Sequence, residues 1–482
     1  MEKHPAMNSL DRIFNAHSIA VVGASTDPTK PGHEILKNLV AIGYEGRVYP
    51  INPNAESILN FRCYPNLKDV PDPVELVVFV LPPDLTLKIV EEELLERKKR
   101  LNDTVGVVIV GGGYRETGTA EGAEREKQLK TLLASADIRL IGPNCQGILS
   151  TTSRVNTTFD IGDYRKGAVS VVTQSGALGC SFLMWAKAKD FIGLDRFISF
   201  GNMADVDVAE LLEYLAELPS TRVIWVYLEG YSHGSRFMEA ARKASARKLV
   251  VVLKPGRTRL GVTAALSHTG SIAGEDQVWN AVFRQTGLIR ADSLEEFYDT
   301  TRAFEKVPLL KGGRIAVVTV CGGLGTLCIE QIAASDHISL ASFSESTRQR
   351  LHAIVSPSAS VGKPDGYVDT TGAVTEQSHY DVLRTVLEEK AVDGVIFLTT
   401  PPAFLPQRGW AEQLARAYNA QPSSDKKPVL AVLGFGDSAS QSREVLEKAG
   451  VPAFEFPETA ARIMENLARY CLHRRRHGTR EG

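Results

Sequence analysis

The sequence predicts an α/β protein made of three doubly wound, parallel-sheet domains, and three observations lead there. Short β-branched runs recur at residues 19–22, 76–80, 105–110, 169–173, 223–228, 250–253, 315–320 and 395–399, each followed by a glycine-bearing turn and an amphipathic stretch of helical period. Runs that are apolar throughout read as strands buried on both faces, as parallel strands are beneath crossover helices. With 482 residues and 43% hydrophobic side chains, the chain is too long for one ordinary domain and suits about three. A turn-rich segment, KVPLLKGG at 306–313, introduces the last set. The expected divisions are 1–145, 146–305 and 306–470, with a basic tail at 471–482.

That tail, CLHRRRHGTREG, lacks apolar periodicity and reads as a solvated, frayed end; docking of an acidic partner is the other reading. The 55 basic and 57 acidic side chains leave a net charge of −2, so no global field draws the chain to nucleic acid or an anionic membrane. Any bound anion must be held by a local site. Six cysteines without a CxxC pair, and ten scattered histidines, give neither a disulfide framework nor a metal-ligand spacing, as expected in a reducing cytoplasm. No apolar stretch reaches the roughly 18 residues that would span a bilayer, and the N-terminus lacks a signal-like apolar region.

The first strand runs into Gly23-Ala24-Ser25, with Pro31-Gly32 opening the next helical pattern. A glycine there lets a phosphate-bearing ligand approach the backbone, and the helix start supplies N–H donors; many doubly wound proteins carry such a turn only for packing. The GxGxxG fingerprint is absent, which demotes a nicotinamide dinucleotide. At Leu81-Pro82-Pro83 a strand ends in a surface suited to a flat adenine or an apolar thioester arm, and equally to a rigid turn. Gly111-Gly112-Gly113-Tyr114-Arg115-Glu116 follows another strand, where successive glycines permit close ligand approach or form a plain loop. Asn144 lies in IGPNCQG, and Ser175-Gly176-Ala177 begins the helix expected through about residue 189. A helix opening on small residues presents free N–H groups to an anion.

The most specific string is ALSHTGSIAG, residues 265–274. A lone histidine is usually structural, but hydroxyls and glycines around His268 compose a loop that leaves an imidazole open to phosphate. Imidazole is a competent nucleophile near neutral pH, and a carboxylate on its other nitrogen would fix its tautomer. Glu229, at the end of the strand in YLEG, is the candidate, at the sheet edge where open α/β folds place ligands.

In order, SIAVVGAS, GHEILKNL, YPINP, GGGYRETG, IGPNCQGI, VVTQSGALG, SFGNMADVD, LLEYLAELP, VYLEG, VVLKPGRT and SHTGSIAG resemble the α-subunits of ADP-forming acetyl-CoA synthetases and, more distantly, succinyl-CoA synthetase. The resemblance runs from about residue 10 to 470 and is densest before residue 290. It implies a Rossmann-like CoA-binding domain followed by two flavodoxin-like CoA-ligase domains. By it, His268 is the phosphorylated histidine and Glu229 the acid that pairs with it. Gly23, Ala24, Ser25, Pro50, Asn52, Leu81, Pro82, Pro83, Gly113, Tyr114 and Glu116 fall where the family holds coenzyme A. Asn144, Ser175, Gly176 and Ala177 fall beside the phosphate, and Gly322 and Gly323 match a glycine-rich turn of the third domain. The segment PDGYVD at 364–369 is longer than the family's usual pattern, which puts the third domain's phosphate contacts in question.

The resemblance further implies interconversion of acyl-CoA, ADP and inorganic phosphate with a carboxylic acid, CoA and ATP, through an acyl phosphate and a phosphohistidine. With no GxxxxGK[ST] loop and no further segment for an ATP-grasp module, ADP or ATP and Mg²⁺ are expected on a separate ATP-grasp β-subunit in a cytoplasmic hetero-oligomer. The rival readings are a non-catalytic CoA or acyl-CoA sensor of the same fold and a nicotinamide-dependent oxidoreductase.

Overall fold

The apolar runs become strands with fully buried side chains: Ser18–Val22, Leu76–Phe79 and Gly106–Ile109 are buried at every position. The computed structural model describes residues 5–160, 162–189, 192–269, 275–372, 374–399, 407–434 and 437–477. They fall into two compact units, Met1–Ala291 and Asp292–Gly482.

The first unit holds two sheets. Its strands are β1 (Ser18–Val22), β2 (Arg47–Ile51), a hairpin of β3 (Ser57–Ile58) and β4 (Phe61–Arg62), then β5 (Leu76–Phe79), β6 (Gly106–Ile109) and β7 (Arg139–Ile141). The main sheet has the order β2-β1-β5-β6-β7, all parallel. The second sheet follows with β8 (Ile148–Ser150), β9 (Val155–Asn156), β10 (Lys166–Thr173), β11 (Leu194–Ser199), β12 (Val223–Tyr227), β13 (Leu249–Leu253) and β14 (Ile289–Ala291). Its order is β14-β13-β12-β10-β11-β8-β9, parallel from β14 to β11 and antiparallel through β8 and β9.

The second unit contains β15 (Arg314–Thr319), β16 (Ser339–Leu340), β17 (Ser360–Val361), β18 (Tyr367–Asp369), β19 (Gly394–Thr399), β20 (Val429–Leu433) and β21 (Ala453–Phe454). The order is β17-β18-β15-β19-β20-β21, with β16 beside β15. Renumbered within its own sheet, each parallel core runs 2-1-3-4-5. In that order the chain reverses direction across the sheet beside its first strand, and open α/β folds bind ligands at that reversal.

The compact units part at Ala291/Asp292, and the helix Leu294–Lys306, which closes the second expected domain, packs on the last helix, Pro457–His477. Arg302 Nη1 donates to the fully buried Glu447 carboxylate at 2.7 Å, and Asn466 Nδ2 to Glu296 at 3.0 Å. The tail is not frayed from its first residue: the last helix continues to His477, with Cys471 buried. There Arg475 donates to the Leu310 and Lys311 carbonyls, and cations in a last turn favour the helix dipole. Among the described residues no helix is long and apolar enough to cross a membrane.

Candidate functional site

In the first sheet the chain reverses between β1 and β5, and three loops converge there. Gly23 has φ +92°, and a Cβ on it would stand 2.7 Å from the Val80 carbonyl oxygen and 2.9 Å from Leu81 Cδ2. Gly32 is equally constrained, its Cβ position 2.1 Å from the Gly23 oxygen, so the helix Pro31–Ala41 starts directly on the Gly23-Ala24-Ser25 turn. Asn52 Nδ2 donates to the Ala24 carbonyl at 2.8 Å and fastens the end of β2 to that turn. Pro50 is buried within β2, opposite Val21, so its side chain belongs to the sheet rather than to the crevice wall.

The turn Leu81-Pro82-Pro83 leads from β5 into the helix Pro83–Ile89. The triple glycine fits against it: a Cβ on Gly111 would lie 2.3 Å from the Leu81 oxygen, and one on Gly113 (φ +103°) 2.9 Å from Pro83 Cγ. Close loop packing therefore explains two of the three glycines. Tyr114 differs from its expected role. Its ring is completely buried in the core, and burial raises its hydroxyl to about 12, so it packs rather than lines the crevice. The Glu116 carboxylate is turned inward as well, accepting from the Gly113 and Tyr114 amides (2.6 and 3.2 Å) and from Asn202 Nδ2 (2.6 Å).

Asn202 joins the edges of the two sheets. Beyond Glu116, its amide donates to Glu126 at 2.7 Å, and its carbonyl accepts from Arg115. Gly201 (φ +50°) lies against Pro143 and Asn144, with a Cβ position 2.2 Å from the Pro143 oxygen. Asn144 itself is exposed in a left-handed conformation, φ +56°, which Asn tolerates better than most residues.

The second sheet reverses between β10 and β12, whose ends supply Ser175 and Glu229. The helix Gly176–Lys189 begins at the tip of β10, with Ser175 Oγ accepting from Leu178 N at 3.3 Å. Ser175 is thus already a cap, while Gly176 and Ala177 present the open first turn. Gln174, which the sequence reading passed over, ties the two strand ends: its Oε1 accepts from the Glu229 and Gly230 amides at 2.8 and 3.2 Å. Beside the helix start, Gln146 Nε2 and the Cys180 thiol donate to opposite oxygens of Asp160 at 2.8 and 2.5 Å. Burial holds that carboxyl above the usual range.

Glu229 is buried, at 3% exposure. Burial and the hydrogen-bonded Glu229 carboxylate raise the Tyr227 hydroxyl. On the neighbouring strand Lys254, also 3% exposed, follows Leu253, the register partner of Tyr227. Its ammonium donates to the Pro255 carbonyl at 2.9 Å and stands 5.4 Å from the centre of the Trp279 ring. Burial, then the Arg290 guanidinium, lower it to about 8 against the opposing charges of Asp276 and Glu229. A lysine directly after an all-apolar strand and before Pro-Gly was the available signal for this residue.

The string holding His268 is not wholly a loop. Thr258 Oγ1 accepts from Gly261 N at 3.1 Å, and from there the backbone is helical over Arg259–Thr269. Ala264, Ala265 and Leu266 are helix formers, which prevailed over the loop-like flanks. This helix runs beside the Arg115–Thr117 turn that follows the triple glycine. The side chain of His268 and residues 270–274 lie outside the described residues.

In the third sheet Gly322 and Gly323 open the helix Gly322–Ala333. A Cβ on Gly322 would lie 2.7 Å from Asp369 Oδ2, whereas Gly323 faces open space. A carboxylate already attends that helix start, which weighs against an anion seat at Gly322. It comes from the segment whose length departs from the family pattern.

Two family models match: a CoA binding domain over residues 17–151 and a succinyl-CoA ligase like flavodoxin domain over 166–304. The α-subunit of acetate–CoA ligase [ADP-forming] II from Pyrococcus furiosus is 38% identical, over 94% of this chain and 96% of its own. Acetate–CoA ligase [ADP-forming] I from Archaeoglobus fulgidus is 35% identical over 96% of this chain, which spans 64% of that longer protein. Among solved structures, the acetyl-coenzyme A synthetase 1 of Ca. Korarchaeum cryptofilum, in complex with phosphate and ADP, superposes with a TM-score of 0.90 at 34% identity over 97% of both chains. This chain belongs to the family of ADP-forming acyl-CoA ligase α-subunits.

Proposed function

We propose that this chain is the CoA-binding, phosphohistidine-carrying subunit of an ADP-forming acyl-CoA synthetase, working in the cytoplasm with an ATP-grasp β-subunit that holds ADP or ATP and Mg²⁺. The observation that carries the reading is the pair of ligand-competent sheet edges in one unit, joined through Asn202, with the His268-bearing helix beside the first and Glu229 at the second. CoA fits the first edge. Gly23 and Gly32 let the first strand end, the turn and the next helix start close on one another, Ala24 and Ser25 shape the turn that Asn52 fastens, and Leu81, Pro82 and Pro83 offer an apolar wall next to Gly113.

Inorganic phosphate attacks the thioester carbonyl of acyl-CoA, the C–S bond breaks, and acyl phosphate and CoA result. An imidazole nitrogen of His268 then takes the phosphoryl group, releasing the carboxylic acid. Glu229 accepts the hydrogen bond of the other ring nitrogen, fixes the tautomer and balances the positive charge that develops. Asn144 and the first-turn amides of Gly176 and Ala177 hold the phosphoryl oxygens, so that positioning and electrostatics carry the transfer. His268 delivers the phosphoryl group to ADP on the partner, and every step is reversible.

The test is incubation of the chain and its partner with radiolabelled ATP. A base-stable, acid-labile label on the wild type, absent from His268→Ala and reduced at least about tenfold in rate for Glu229→Gln, is the expected result. Equal labelling of His268→Ala would overturn the reading.

A further inference from the structure

We infer that Asn202 is a positioning residue for Asn144: two glutamates beside the CoA edge hold its amide in one orientation, so that it presents its oxygen to the Asn144 amide and leaves that amide one proton for phosphate. The inference rests on the reading of Asn144 as a phosphate-holding residue and names what orients it.

A side-chain amide has a donor end and an acceptor end, and its neighbours decide which way it is turned. At Asn202 the decision is clear. Its Nδ2 donates to Glu116 Oε2 at 2.6 Å and to Glu126 Oε2 at 2.7 Å, which places both protons on carboxylate oxygens. Asn202 is 7% exposed, and the reversed amide would set its oxygen against two acceptors with little water to intervene. Oδ1 is thereby left to Asn144, whose Nδ2 donates to it at 3.4 Å.

The backbone supports this long contact from both sides. Asn202 N donates to the Pro143 carbonyl and Asn144 N to the Gly111 carbonyl, each at 3.0 Å. Gly201 lets the two loops close, since a Cβ there would stand 2.3 Å from the Asn144 carbonyl oxygen. Asn144 Oδ1 lies 3.5 Å from the Cβ position of Gly112, on the side of the glycine run. Its nitrogen therefore gives one proton to Asn202 and keeps the other, on an exposed side chain, for a phosphoryl oxygen.

Glu116 links this arrangement to the CoA edge. Its second oxygen accepts from the Gly113 and Tyr114 amides at 2.6 and 3.2 Å, so a continuous series of hydrogen bonds runs from Gly113 through Glu116 and Asn202 to Asn144. Arg115 closes the cluster, donating to the Asn202 carbonyl and standing 3.3 Å from Glu126 Oε1. A residue that only joined two loops would affect both ligands alike when truncated. One that turns the Asn144 amide affects phosphate, because Glu116 keeps its bonds to the Gly113 and Tyr114 amides without it.

The full chain with its nucleotide-binding partner is assayed for ATP formation from ADP and inorganic phosphate, with acetyl-CoA or the member of an acyl-CoA panel that the wild type turns over. Asn144→Ala and Asn202→Ala are each expected to raise KM for phosphate about tenfold, as the loss of one hydrogen bond to a charged group does, with KM for acyl-CoA unchanged. The double variant is expected to match Asn144→Ala within about twofold, since a residue acting through another adds nothing once that other is gone.

Effects that multiply in the double variant overturn the inference, as does an Asn202→Ala that leaves KM for phosphate alone or moves both KM values together; in each case a raised KM in Asn144→Ala keeps the parent reading. An unmoved KM in Asn144→Ala takes Asn144 out of the phosphate site and the inference with it. A wild type that turns over no acyl-CoA removes both. Should Asn202→Ala lose its cooperative melt, Asn202→Ser, one atom shorter than the native side chain, replaces it and the cycle with Asn144→Ala still decides.

Discussion

A Cβ at residue 23 would meet the Val80 carbonyl oxygen at 2.7 Å, on a backbone whose φ of +92° already disfavours any side chain. Gly23→Ala is therefore expected to destabilise the first unit by about 1–3 kcal/mol and to weaken CoA binding at least about tenfold by displacing the Leu81 wall. Thermal melting and calorimetry with CoA check the two effects separately, and wild-type values in both would remove Gly23 from the site. The sequence made this glycine visible because it ends an apolar strand. It could not separate glycines that admit a ligand from glycines that admit a neighbouring loop, since both carry no side chain. Gly23, Gly111 and Gly113 all prove to face the loop after the next strand, at Val80, Leu81 and Pro83. Tyr114 misled for a similar reason: an aromatic beside a glycine run looks like a stacking platform, and only the packed core reveals its ring as interior.

At the scale of elements, periodicity reports burial and not adjacency, so strands could be read from the apolar runs while the order 2-1-3-4-5 in each sheet could not. The short antiparallel strands β8, β9 and β17 were missed outright, being too brief for any period to register. Caps are more legible. Ser344, ahead of the helix Glu345–Ile354, is a capping residue whose hydroxyl accepts from Thr347 N at 3.2 Å. Its anchor comes from 45 residues away: Glu389 accepts from the Ser344 hydroxyl (2.6 Å) and amide (3.0 Å), the Thr347 hydroxyl (2.7 Å) and the Ala391 amide (3.1 Å). Burial works against ionisation there, but these donors outweigh it and bring the carboxyl from 4.5 down to about 2. A group depressed on folding contributes stability that is complete above its unfolded value and disappears as pH falls through its folded one. Glu389→Gln should thus cost the second unit about 1–3 kcal/mol at neutral pH. Denaturant titrations of the two proteins should converge between about pH 4.5 and 2; curves that stay apart at pH 2 would assign the stabilisation to something other than the carboxylate.

For the whole molecule, the comparison that matters is between relatives of different length. The chain matches the Pyrococcus α-subunit almost end to end but spans 64% of the single-chain Archaeoglobus ligase, so the remaining part of the longer protein has no counterpart among these 482 residues. If that part holds the nucleotide, as proposed, CoA and ADP affinity should separate physically. The chain alone should bind CoA at its first sheet edge with calorimetric heats that Gly23→Ala diminishes, and should give no heat with ADP and Mg²⁺. Addition of the partner should restore ADP formation from ATP, but only when CoA and a carboxylic acid are both present, because an unconsumed phosphohistidine blocks further turnover. Turnover of ATP by the isolated chain would place nucleotide chemistry within these three sheets and refute the division. Binding of CoA with no turnover beside any ATP-grasp partner would instead favour a sensor that kept the fold. The buried Glu229, its backbone fixed by Gln174, argues for the enzyme, since a sensor gains nothing from burying a carboxylate at a dry sheet edge.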